Sequence, residues 1–181
     1  MNTANKITLL RILLVPIFMA LFMAGTPGYL LAAVIVFVVA AATDGIDGYI
    51  ARRYNQITTF GKFVDPLADK MLTTAALLVL MHFGRVSAWV VMIVMAREFV
   101  VAGIRLSAVS EGKVIAASMW GKLKTVSQMV AIIAAMILMY DFFPQATAQI
   151  ITDILIWLST IFTVISGVDY VVKNRHLLKM K

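Results

Sequence analysis

Apolar residues fall into six stretches along this 181-residue chain, and charged residues enter most of them from one end. The pattern predicts helices over roughly Ile7–Ala24, Tyr29–Ala51, Gly61–Phe83, Val86–Ser107, Trp120–Tyr140 and Ala146–Val172. Turn formers separate several of them: Gly25-Thr26-Pro27-Gly28, His82-Phe83-Gly84-Arg85 and Asp141-Phe142-Phe143-Pro144. No linker, low-complexity tract or internal repeat divides the chain, so one domain over 1–181 is expected. The uncharged runs are short. Ile12–Ala24, Met71–Phe83, Val86–Ala96 and Val126–Tyr140 hold 13, 13, 11 and 15 residues, where a bilayer core needs about 20. Each span therefore reaches full length only by taking in polar residues.

Alternating the directions places those polar residues on one side. With the N-terminus inside, Arg11 comes early in the first span, Asp44 and Asp47 late in the second, and Asp65 and Asp69 early in the third. Arg97, Glu98 and Arg105 come late in the fourth, Lys122 and Lys124 early in the fifth, and Asp169, Lys173 and Arg175 at the end of the sixth. Nearly all Lys and Arg share that side, with Arg85 the clear exception, so both termini are expected in the cytoplasm. Charge at such depth is tolerated only around a hydrated cavity. The expected fold is all-α: an integral membrane bundle of six transmembrane helices, with a polar cavity at the cytoplasmic side.

Composition agrees. A hydrophobic fraction of 62% with only 14% charged residues lies far outside the soluble range. The net charge of +7 reads as a stripe facing anionic membrane lipids rather than nucleic acid, because the cations sit at the ends of apolar runs. Cysteine is absent, which excludes disulfides and thiolate metal sites. The first apolar run lacks a small-x-small cleavage site and is read as an uncleaved span rather than a signal peptide.

Four of the nine acidic residues, Asp44, Asp47, Asp65 and Asp69, lie within 26 positions. Steps of three and four put each pair on one helical face. Converging carboxylates suit hard divalent cations, magnesium first and manganese nearly as well. Gly48 and Ala51 share the face of the first pair and leave room for a ligand, while Arg52 offers a fork for phosphate. Taken singly, Asp69 beside Lys70 and Asp47 near Arg52 also read as structural ion pairs, and Gly48 with Ala51 as close helix packing.

The whole pattern is D-x2-D-G-x2-A-R-x8-G-x3-D-x3-D, from Asp44 through Gly61 to Asp69. It resembles the signature of the CDP-alcohol phosphatidyltransferase family, matched at every specified position. Asn5-Lys6-Ile7-Thr8-Leu9-Leu10-Arg11 resembles the family's N-terminal segment, with Ala4 where proline is usual. Arg97-Glu98-Phe99 and Gly121-Lys122-Leu123-Lys124-Thr125 resemble the branch that forms phosphatidylglycerophosphate. The resemblance implies joining of CDP-diacylglycerol to an alcohol with release of CMP. It implies two divalent ions held by Asp44, Asp47, Asp65 and Asp69, with Asp44 and Asp65 shared, and Asp69 as the base. It assigns Asn5, Thr8, Gly48, Ala51, Arg52, Thr58 and Gly61 to CDP-diacylglycerol, and it implies a homodimer.

The residues suit that chemistry. Two cations can clamp a diphosphate and stabilise attacking and departing oxygens. No cysteine and no evident Ser–His pair offers a nucleophile, which favours direct attack by the acceptor. Arg97, Arg105, Lys122 and Lys124 favour a phosphate-bearing acceptor such as sn-glycerol 3-phosphate. Lys122 and Lys124 project about 160° apart, so one of them is expected in the pocket. Glu98 and Arg105, seven apart, also read as a structural bridge. Rival readings are a cardiolipin or phosphatidylserine synthase, a divalent-cation transporter and a purely structural membrane protein. The transporter reading lacks a matching polar chain through the outer halves of the spans.

Overall fold

The computed structural model describes residues 3–53, 59–110, 112, 115, 118–140 and 142–175, excluding the side chains of 3, 4, 44–53, 59–63, 65, 66 and 110. Among the described residues all regular structure is helical: α1 (Thr3–Met23), α2 (Pro27–Arg53), α3 (Thr59–His82), α4 (Ala88–Ser110), α5 (Met119–Ile137) and α6 (Gln145–Lys173). The six expected helices are present with ends shifted by one to four residues, and two of the shifts have a clear physical reason. α1 opens four residues earlier than its apolar run, because its first turns bury polar Asn5 and Thr8. α5 stops at Ile137 rather than Tyr140, where Met139 and Tyr140 donate to carbonyls three residues back in tightened turns. Asn5–Met23 and Gln145–Lys173 are long and apolar enough to cross a membrane.

Two compact units divide the chain after His82. In the first, α1 packs on α2 and α3, and α2 touches α3. The buried face of α1 runs Asn5, Thr8, Arg11, Val15, Phe18 and Phe22 in steps of three and four, turning from polar to apolar. Phe18 meets Phe37 of α2 at 5.6 Å between ring centroids, and Arg11 Nε donates to Thr43 Oγ1 at 3.3 Å. Position numbers fall along α1 as they rise along α2, so the two helices are antiparallel. Extending this register brings Thr8 level with Asp47 and Asn5 level with Ile50. The polar end of α1 thus lies beside the aspartate segment of α2.

In the second unit α6 packs on both α4 and α5. Its buried face carries Ala148, Thr152, Ser159, Thr160, Thr163 and Ser166, small residues that let neighbouring helices approach. Ser159 and Thr160 donate to the Ile156 carbonyl at 2.8 and 2.7 Å, and Thr163 donates to that of Ser159 at 2.9 Å. These three hydroxyls are satisfied inside their own helix, whereas Ser166 Oγ on the same face accepts from Arg97 of α4. Arg85, the cation out of place by charge bias, is fixed at the start of α6. Its guanidinium donates to the side chains of Gln145 and Gln149, and Gln149 Nε2 donates to Asp153 Oδ1 at 3.0 Å.

Candidate active site

The backbone carries Asp44, Asp47, Gly48, Ala51 and Arg52 on the last turns of α2, and Gly61, Asp65 and Asp69 on the first turns of α3. Helical steps of three and four therefore hold for both aspartate pairs. The side chains of Asp44, Asp47, Asp65 and Arg52, and Thr58 as a whole, lie outside the described residues. Asp69 is described: its side chain is 21% exposed, and Oδ2 accepts from Lys70 Nζ at 3.0 Å. Asn5 and Thr8 are buried on the face of α1 that runs alongside this end of α2. The donor set is all carboxylate oxygen on two helices that touch, which fits a hard divalent ion.

Arg11 is the residue of this region that sequence reasoning left without a role. It is fully buried and reaches Thr43, the residue directly before Asp44. An arginine in the first apolar run was the available signal. Burying its guanidinium demands acceptors, and the C-terminal half of α2 supplies one in Thr43.

In the second unit the expected acceptor cations separate into a cluster and two outliers. Glu98 Oε1 accepts from Arg97 Nη1 at 3.0 Å and from Lys124 Nζ at 2.5 Å. The three side chains are only 12, 11 and 4% exposed for Arg97, Glu98 and Lys124. Arg97 Nη2 also donates to Ser166 Oγ of α6 at 2.7 Å. The stem of Arg97 crosses Gly167 so closely that a Cβ there would lie 3.1 Å from its Cγ. Lys122 is exposed on the other side of α5, so Lys124 is the inward lysine. Arg105 turns to Tyr170, donating from Nε to the hydroxyl at 3.3 Å, with its guanidinium 5.8 Å from the ring centre. The anticipated alternative of a Glu98–Arg105 bridge is replaced by the Arg97–Glu98–Lys124 triad. Seven residues align Glu98 and Arg105 on one face, but Tyr170 takes Arg105 and α5 brings Lys124 to Glu98. Ser166 was missed, since a hydroxyl in an apolar helix carries little signal alone.

The family model described as CDP-alcohol phosphatidyltransferase matches residues 1–165, a range that includes every one of these positions except Gly167, Tyr170 and the hydroxyl of Ser166. The chain belongs to the CDP-alcohol phosphatidyltransferase family. It is 42% identical to the CDP-diacylglycerol--glycerol-3-phosphate 3-phosphatidyltransferase of Bacillus subtilis (strain 168), over 98% of this chain and 97% of that protein. It is 40% identical to a probable phosphatidylglycerophosphate synthase of Mycobacterium tuberculosis (strain ATCC 25618 / H37Rv), over 95% of this chain and 81% of that one. A third relative, from Rickettsia typhi (strain ATCC VR-144 / Wilmington), carries the same name as the Bacillus protein at 34% identity, over 93% and 94% of the two chains. Membership makes the chain a membrane-associated transferase of phospholipid synthesis. The family is generally dependent on divalent metal, in keeping with the all-oxygen donor set on α2 and α3.

Proposed function

We propose that this enzyme transfers the phosphatidyl group of CDP-diacylglycerol to sn-glycerol 3-phosphate, giving phosphatidylglycerophosphate and CMP. The unbroken aspartate pattern on α2 and α3 carries the reading, and the names of relatives up to 42% identical support the choice of acceptor. Asp44, Asp47, Asp65 and Asp69 would hold two Mg2+ ions, with Mn2+ nearly as suitable. When bound, such ions neutralise the diphosphate and the departing CMP. Asn5, Thr8, Gly48, Ala51, Arg52, Thr58 and Gly61 form the CDP-diacylglycerol site. The antiparallel register that sets Asn5 and Thr8 beside the inner end of α2 supports their inclusion.

The acceptor hydroxyl attacks the phosphatidyl phosphorus directly. Its oxygen forms the new P–O bond as the bond to the CMP oxygen breaks, and Asp69 takes the hydroxyl proton. Arg97 and Lys124 bind the acceptor's phosphate, whereas Arg105, turned to Tyr170, and Lys122, on the other side of α5, stand outside this pair. The whole chain acts as one domain with six membrane spans, multi-pass in the cytoplasmic membrane, with termini and site facing the cytoplasm. Helices of 19 to 29 residues support this, since about 20 residues span a bilayer core. A homodimer is the proposed assembly.

Acceptor competition tests the reading. Purified protein given CDP-diacylglycerol with glycerol 3-phosphate, serine and phosphatidylglycerol together should yield phosphatidylglycerophosphate. Phosphatidylserine or cardiolipin as the main product would assign the acceptor site to a different alcohol.

A further inference from the structure

A serine inside a helix ordinarily returns its hydroxyl to a carbonyl one turn back. Ser159, Thr160 and Thr163 on the buried face of α6 all do so. Ser166, fully buried on the same face, is set apart: its oxygen accepts from Arg97 Nη2 of α4 at 2.7 Å. The next residue, Gly167, lies where the stem of Arg97 crosses α6, and a Cβ there would stand 3.1 Å from Arg97 Cγ. Gly121 of α5 leaves the pair uncrowded, since a Cβ there would lie 3.8 Å from both Arg97 Nη2 and Ser166 Oγ. Ser166 and Gly167 lie past residue 165, where the family match ends, so membership assigns them no role.

We propose that Ser166 and Gly167 are positioning residues for the acceptor site, Ser166 aiming the guanidinium of Arg97 and Gly167 giving its stem passage. This rests on the reading that Arg97 binds the acceptor's phosphate. A long, flexible arginine binds phosphate better when its fork is already oriented. The nature of the Ser166 acceptor matters. A hydroxyl is neutral, so it fixes the direction of the fork without offsetting the positive charge that phosphate needs.

The test is Ser166→Ala, which removes the acceptor oxygen and little volume. Its KM for glycerol 3-phosphate should rise roughly tenfold, by a larger factor than kcat falls. Competition by inorganic phosphate against glycerol 3-phosphate should weaken in parallel, while the KM for CDP-diacylglycerol stays near wild type. A Ser166 that only fills space between helices would affect both substrates alike. An acceptor KM within about twofold of wild type, or equal rises in the two KM values, therefore overturns the proposal. The hydroxyl acts through the guanidinium, so in an Arg97→Ala background the same change should move the acceptor KM by less than about twofold. Full additivity of the two substitutions overturns the proposal as well. If Ser166→Ala does not fold, Ser166→Cys, whose sulfur is a weak acceptor, carries the same expectations and the same overturning results. Arg97→Ala by itself separates the two levels. If it leaves the acceptor KM unchanged, the phosphate-site reading fails; if it raises that KM while Ser166→Ala does not, only the role of Ser166 fails.

Discussion

Asp69 is proposed to hold metal and to accept a proton, and its surroundings bear on both roles. Its carboxylate is four-fifths buried and paired with Lys70, which is itself well exposed, so the pair is accessible rather than locked. Asp69→Asn should lower turnover at least about 100-fold, the low end of what a general base contributes, with a much smaller change in nucleotide affinity. Steady-state CMP release together with binding of a CDP analogue checks this, and a near-wild-type rate would reject Asp69 as the base. Legibility at this scale was uneven. The aspartates stood out because a carboxylate in an apolar chain demands a reason. Glu98's partners were hidden, since sequence spacing reports neighbours on one helix but not which lysine a second helix delivers. The opposed directions of Lys122 and Lys124 were readable from helical geometry; which one faces inward depended on packing with α6.

Two glycines show how elements set the triad. A Cβ at Gly121 would meet Ser118 Oγ at 3.5 Å and Arg97 Nη2 at 3.8 Å, both ordinary contacts. Gly121→Ala should therefore be neutral or gain up to about 1 kcal/mol of helix stability. At Gly167 the added carbon would press on Arg97 Cγ at 3.1 Å. Overpacking of about 1–3 kcal/mol then outweighs the same helix gain. Gly167→Ala should lower the melting temperature in detergent and raise the acceptor KM, where Gly121→Ala does neither; thermal unfolding and kinetics on both variants check the contrast. The helices themselves were legible, because apolar runs bounded by Gly and Pro fix where a span can lie. Their ends were less so. α1 extends through buried Asn5 and Thr8, and no hydropathy pattern marks a polar turn that neighbours will bury.

For the molecule as a whole, the cations and acids divide between the units in a way that matches their proposed tasks. The unit of α1–α3 carries the four aspartates and the polar face of α1, and the unit of α4–α6 carries Arg97, Glu98 and Lys124. The family match, over residues 1–165, runs through both units. Membrane residence was readable from composition, since 62% hydrophobic residues with 14% charge leave few alternatives. The chemistry was readable from the aspartate spacing. What composition and spacing withheld were contacts between distant segments, such as Arg11 with Thr43 and Arg97 with Ser166. The most direct test is CMP release from CDP-diacylglycerol by the purified protein, after chelation and then during Mg2+ titration. We expect release that requires glycerol 3-phosphate, vanishes with chelator and returns as Mg2+ is restored; full activity in excess chelator would contradict carboxylate-held metal as the centre of the reaction.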